Sequence, residues 1–138
     1  MAGDSAVNTS AAQRGIVFFA HGSRDPLWRK PIEAVAQQLR VQYADALCAT
    51  AYLELTTPDL PTAARMLIEQ GCRHLTVLPM FLGTGRHARE DLPKLVASLE
   101  QLHPHVQFEI ATAVGEDPRI TQRMAEIAAE HLHKTPHL

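Results

Sequence analysis

The chain has 138 residues, the length of one ordinary domain, with 46% hydrophobic and 20% charged residues and a formal net charge of −2. This composition excludes a disordered or fibrous chain, and the lack of a basic excess argues against general nucleic-acid binding. No apolar run approaches the ~20 residues that span a bilayer, so no membrane partner is expected.

Residues 1–14, MAGDSAVNTSAAQR, are small and polar. They have neither a basic n-region nor an apolar h-region, so they read as a disordered leader rather than a signal peptide. The domain is expected to span 15–133, with 134–138 as a polar tail. The histidines of HLHKTPHL are too few to read as a metal store. Cys48 and Cys72 sit in apolar surroundings without zinc-like spacing. They read as buried reduced thiols, which suits a cytoplasmic location.

Four apolar runs alternate with four helical patterns. The runs are GIVFFA (15–20), ALCATAYLEL (46–55), HLTVLPMF (74–81) and VQFEIATAV (106–114). Continuous apolarity predicts strands of a parallel sheet, buried on both faces. Between and after them, apolar stripes recur at helical spacing: Ile32, Val35, Ala36 and Leu39; Leu60, Ala64, Leu67 and Ile68; Leu92, Leu95, Val96 and Leu99; Ile120, Met124, Ile127 and Ala128. Thr57-Pro58 and Asp91-Leu92-Pro93 read as helix openings, and Gly71 as a C-cap. The alternation predicts an α/β fold: one four-stranded parallel sheet with helices on both faces and right-handed crossovers. No GxGxxG follows the first strand and no Walker A loop is present, which leaves a dinucleotide-binding or P-loop NTPase reading without support.

In such a sheet, ligands bind beyond the carboxyl ends of the strands. His21-Gly22-Ser23-Arg24 follows the first strand, Glu54 ends the second, and a loop running from Pro79 to His87 follows the third. A histidine or carboxylate on three strand ends points to one chemical rim. His21 and His87 are the candidate metal ligands, since imidazole accepts several divalent ions, and neutral imidazole also accepts a proton. Glu54 is a candidate base, or a carboxylate paired with Arg24 or Arg86. Arg24, Arg29, Lys30, Arg86 and Arg89 flank the rim as ordinary surface charge or as a basic mouth for a polyanion.

Ala20-His21-Gly22-Ser23-Arg24 and the stretch from Leu78 to Pro93, LPMFLGTGRHAREDLP, resemble the motifs of the class II chelatases over about residues 14–130. The nearest subgroup is the short, single-domain sirohydrochlorin cobaltochelatase and ferrochelatase type. That resemblance implies a flavodoxin-like (chelatase-like) half-domain and a homodimer. It also implies insertion of cobalt or ferrous iron, or nickel in some relatives, into sirohydrochlorin in cobalamin or siroheme biosynthesis. It implies His21 and His87 as metal-handling residues and Glu54 as a nearby acid. Ser23, Arg24, Phe81, Leu82, Gly83, Arg86 and Arg89 would meet the substrate, although Phe81 and Leu82 could equally be core. The metal is then a substrate, and no tightly bound cofactor is expected. Two other readings stay open: a metal or tetrapyrrole carrier without turnover, and a histidine phosphatase, although the Arg expected before its nucleophilic His is Ala20 here.

Overall fold

The computed structural model describes residues 13–133; most of the expected leader and the tail 134–138 lie outside these. The elements run β1 (Arg14–Ala20), α1 (Lys30–Gln42), β2 (Leu47–Tyr52), α2 (Leu60–Glu69), β3 (His74–Pro79), α3 (Arg86–Leu102) and β4 (Gln107–Ile110). A 3₁₀ turn (Val114–Glu116) and α4 (Pro118–Glu130) complete the chain. The sheet order is β2-β1-β3-β4. All pairings are parallel, with Ile16 between Cys48 and Thr76 and with Val77 beside Ile110. The expected (βα)₄ alternation is present.

The chain leaves β1 for β2 on one side and, after crossing back, leaves β3 for β4 on the other. The direction of winding reverses between β1 and β3. Crossover handedness then puts α1 on one face and α2 and α3 on the other. Loops that follow β1 and β3 diverge at this point and open a crevice. Of the candidate histidines, His21 lies on the first of these loops and His87 in the helix turn that ends the second.

The two faces are unequally covered. Val17, Phe19, Ala51, Leu75 and Val77 pack with Leu60, Ala64 and Leu67 of α2 and Leu92, Val96 and Leu99 of α3 in one large core. The second core holds only Phe18, Ala36 and Cys48, with Ile16, Ile32, Leu39, Leu78 and Met80 partly buried around it. The expectation of strands buried on both faces therefore needs correction at β3 and β4. β3 alternates between buried and half-buried residues, and none of the four residues of the edge strand β4 is buried. His74, Thr76, Gln107 and Glu109 occupy the open side and bond to one another.

Two helix ends match their local chemistry. Asp59 caps α2 by accepting from the Thr62 N–H at 2.9 Å, and Gly71 follows the helix end as expected. The expected opening at Asp91–Pro93 is wrong. α3 starts at Arg86 and runs through Pro93, because Ala88 ahead of the proline and Leu92, Val96 and Leu99 around and beyond it share one buried stripe. Cys48 and Cys72 are free, buried thiols, and burial pushes the Cys72 thiol up. Among the described residues, no helix is long and apolar enough to cross a membrane.

Candidate functional site

The rim is built from backbone first. Beyond the last β1–β2 ladder pair, the Leu53 N–H donates to Ala20 O at 2.9 Å and the Glu54 N–H to His21 O at 3.0 Å. These bonds bring the His21 turn against the Glu54 turn. Gly22 has φ +104°, and a β-carbon there would overlap the Glu54 carbonyl oxygen. Only glycine allows this approach.

A second clasp joins the same two turns. The Thr56 hydroxyl accepts from the Ser23 N–H at 2.9 Å and donates to Ser23 O at 2.7 Å. Thr56 is held by a tight turn of its own, in which its N–H donates to Glu54 O at 2.7 Å across Leu55. Leu55 sits at φ +64°, a costly conformation for a leucine, and is 54% exposed. The Ser23 hydroxyl then accepts from the Asp25 N–H at 3.1 Å, and Asp25 accepts from the Leu27 N–H at 2.9 Å. Trp28 closes the loop by packing on Tyr52, with ring centroids 5.9 Å apart.

His21 projects from this frame and is exposed. Its ring stacks on Phe81, with centroids 4.3 Å apart and planes 23° apart. Phe81 also meets Phe19 edge-on at 6.2 Å. The expectation that Phe81 meets a substrate is corrected here: it is 4% exposed, and its ring is taken up by His21 and the core. It presents His21 instead. Leu82, by contrast, is 68% exposed and free to meet a ligand. Behind it the Gly115 N–H donates to Phe81 O at 2.9 Å, and Gly115 approaches the Leu82 backbone too closely for any β-carbon.

Glu54 stands two residues past the end of β2 and is exposed, so it does not interrupt a buried strand as its sequence position suggests. Among the described residues it forms no ion pair, with Arg24, Arg86 or any other residue. Gly83 lies in the exposed loop before α3. His87 is in the first turn of α3, exposed, at the helix end that faces the rim. Of the flanking cations, Arg86 bonds Glu90 at 3.2 Å, Arg89 reaches Thr84 O at 3.3 Å, and Arg29 pairs with Glu33 at 3.3 Å. These are exposed contacts worth little, and a carboxylate ligand can compete for them. A cleft of about 410 Å³ opens beside the rim, where Pro79, Thr84, Arg89 and Leu92 face Ala111, Thr112 and Glu116.

The structure thus joins His21, Ser23, Glu54 and Phe81 through direct contacts and brings His87 to the same rim on a separate element. No hydrogen bond or ion pair among the described residues links the side chains of His21, Glu54 and His87. Nor do any three His, Cys, Asp or Glu side chains there gather as a metal-holding group. Thr56 and Leu55 are the residues that sequence reading missed. Thr57-Pro58 reads as a helix opening, and α2 starts at Leu60; the bonds of Thr56 to Ser23 depend on the β1–β2 register.

Fold and rim define a small doubly wound α/β protein with imidazole and carboxylate groups at its topological switch point. The CbiX family model matches residues 15–131, and the chain belongs to that family. It is 30% identical over 121 residues to the sirohydrochlorin cobaltochelatase of Sulfurisphaera tokodaii, covering 88% of this chain and 96% of that protein. It spans only 62% of the sirohydrochlorin cobaltochelatase of Methanocaldococcus jannaschii, at 30% identity over 64% of this chain. A crystal structure from Marinobacter aquaeolei VT8, assigned as a CbiX protein of cobalamin (vitamin B12) biosynthesis, superposes with TM-score 0.78 at 33% identity. That match covers 90% of this chain and 98% of the other. The cobalt complex of the sirohydrochlorin chelatase SirB from Bacillus subtilis subspecies spizizenii gives TM-score 0.70 at 25% identity, over 84% of this chain and 51% of that one.

Proposed function

We propose that this chain inserts a divalent metal ion, Co²⁺ or Fe²⁺ with Ni²⁺ as a further candidate, into sirohydrochlorin. The observation that carries the reading is the position of two exposed histidines at the β1–β3 switch point, His21 on the loop after β1 and His87 in the first turn of α3, in a chain that belongs to the CbiX family. The names of its relatives, sirohydrochlorin cobaltochelatase and ferrochelatase, support the same reaction.

Insertion places M²⁺ on the pyrrole nitrogens and releases two N–H protons per metal. His21 and His87 supply imidazole nitrogens that replace water on the incoming ion. Glu54, whose backbone is fixed beside His21 by the Glu54 N–H to His21 O bond, or one of the histidines takes up the protons. Arg24, Arg86 and Arg89 pair with the carboxylate arms of the macrocycle, and Ser23 and Gly83 border it with their backbones. Leu82 meets the apolar ring. The metal enters as a substrate and leaves in the product, so the reaction requires no resident cofactor.

An open rim needs a second wall to enclose a macrocycle. A second copy of the chain supplies it, and the working unit is a homodimer. The unpaired buried thiols suit the reducing cytoplasm. The test is absorbance of sirohydrochlorin mixed with each metal in turn. The expected result is insertion well above the spontaneous rate for at least one metal. Binding of metal without acceleration would leave only a carrier.

A further inference from the structure

Leu55 has φ +64°, and the Thr56 N–H donates to Glu54 O at 2.7 Å across it. A positive φ closed by a bond between residues i and i+2 is the rare, strained form of the γ-turn. Among the described residues, Leu55 is the one residue other than glycine with a positive φ. A bulky side chain is costly in that region, which glycine and asparagine enter more readily. Burial does not offset the cost. Leu55 is 54% exposed and packs in neither apolar core, whereas Leu53, two residues earlier, packs against the large one.

The turn is held at both ends. The Glu54 N–H bonds His21 O, and the Thr56 hydroxyl clasps the Ser23 backbone. Strain of this kind persists where surrounding bonds over-determine it, and it collects at functional sites. Leu55 is thus fixed beside the His21 turn, with much of its apolar side chain in water. Leu82 is 68% exposed on the loop after β3. In the sheet order, β2 and β3 flank β1. The turns that carry Leu55 and Leu82 therefore follow strands on either side of the His21 strand, two strand spacings or about 10 Å apart.

We propose that the chain holds Leu55 in this conformation to support the flat apolar face of the tetrapyrrole, as the counterpart of Leu82 across His21. The proposal rests on the sirohydrochlorin reading and adds a contact residue to it. An apolar contact that is equal in the bound substrate and the reacting complex sets affinity and leaves the turnover step alone. Leu55 therefore acts on KM, unlike the Thr56 clasp, which positions the His21 turn.

The experiment compares Leu55→Gly, Leu55→Asn and Leu55→Met with the unaltered chain. The readouts are thermal melting, equilibrium titration with metal-free sirohydrochlorin, and KM and kcat for Co²⁺ insertion. Glycine and asparagine tolerate the positive φ, so both variants should melt at or above the temperature of the unaltered chain. Both lack the apolar side chain, so each should bind sirohydrochlorin about tenfold more weakly and raise KM by the same factor, with kcat held. Methionine keeps an apolar side chain and should leave binding and KM near the unaltered values. Where glycine and asparagine disagree, asparagine decides, because it adds less backbone freedom. Unweakened binding in these two variants overturns the proposal. So does a melting temperature that falls in both, since the leucine then serves the fold. Weakened binding in both, beside an unaltered chain that binds sirohydrochlorin but inserts no metal, upholds the contact and overturns the enzyme reading. An unaltered chain that binds no sirohydrochlorin overturns both.

Discussion

The imidazole of His21 lies flat on the ring of Phe81, centroids 4.3 Å apart, and Phe81 is itself wedged against Phe19 of the core. A solvent-exposed candidate metal ligand is thereby oriented by the buried centre of the fold. Replacing Phe81 with leucine nearly keeps the core volume, so stability should fall by less than about 1.5 kcal/mol. The flat support is lost, and His21 regains its rotamers. Metal insertion by Phe81→Leu should drop by about tenfold or more, read as kcat in the absorbance assay beside a thermal melt.

Thr56 clasps the Ser23 backbone with two hydrogen bonds and touches no candidate ligand directly. Thr56→Val keeps the shape and deletes both bonds, at a cost of about 1–3 kcal/mol. Thr56→Ser keeps the hydroxyl. The valine variant should raise KM and lower kcat together as the His21 turn loosens, and serine should restore both. Equal rates in valine and serine variants would show that the clasp is purely structural.

Gly22→Ala combines a positive φ with a β-carbon in the Glu54 carbonyl. The two rim turns cannot then interlock. The expected cost is at least about 2 kcal/mol, measured by denaturant midpoint, with the β1–β2 contact as the part that opens first in hydrogen exchange.

Much of this arrangement was legible in the residues. Continuous apolar runs marked the strands because β1 and β2 are packed from both sides, and HGS after β1 and GRH at the start of α3 marked the rim. Other features depend on partners distant in sequence. The strand ALCATAYLEL was read through to Leu55, but β2 ends at Tyr52, and the positive φ of Leu55 turns the chain so that Glu54 faces solvent. Phe81 suits the flat apolar ring of a substrate or the core equally in sequence; the fold puts it on Phe19 in the core. Pro93 looked like a helix start, but the buried stripe on either side of it carries α3 through. The stripe of α4 had the right period for a packed helix, and period alone does not say against what a helix packs.

Asp117 caps α4, accepting from the Arg119 N–H at 2.8 Å and pairing with the Arg119 guanidinium. These bonds hold its carboxyl down from 3.8 to about 2. A depressed folded value means the cap stabilises α4 fully above pH ~4 and loses that contribution as pH falls through about 2. Far-UV circular dichroism should show helix loss between pH 4 and 2 in the unaltered chain. Asp117→Asn keeps an acceptor but no charge, and should lose the part of the transition that arises from this cap.

His21, from the loop after β1, and His87, from the first turn of α3, are proposed to handle the incoming metal together. The most direct measurement is the initial rate of Co²⁺ insertion into sirohydrochlorin by the unaltered chain, His21→Ala and His87→Ala, each checked by thermal melting. Both side chains are exposed, so stability should change by no more than about 0.5 kcal/mol, while each variant loses about a hundredfold or more in rate. Unaltered rates in either folded variant would contradict the account.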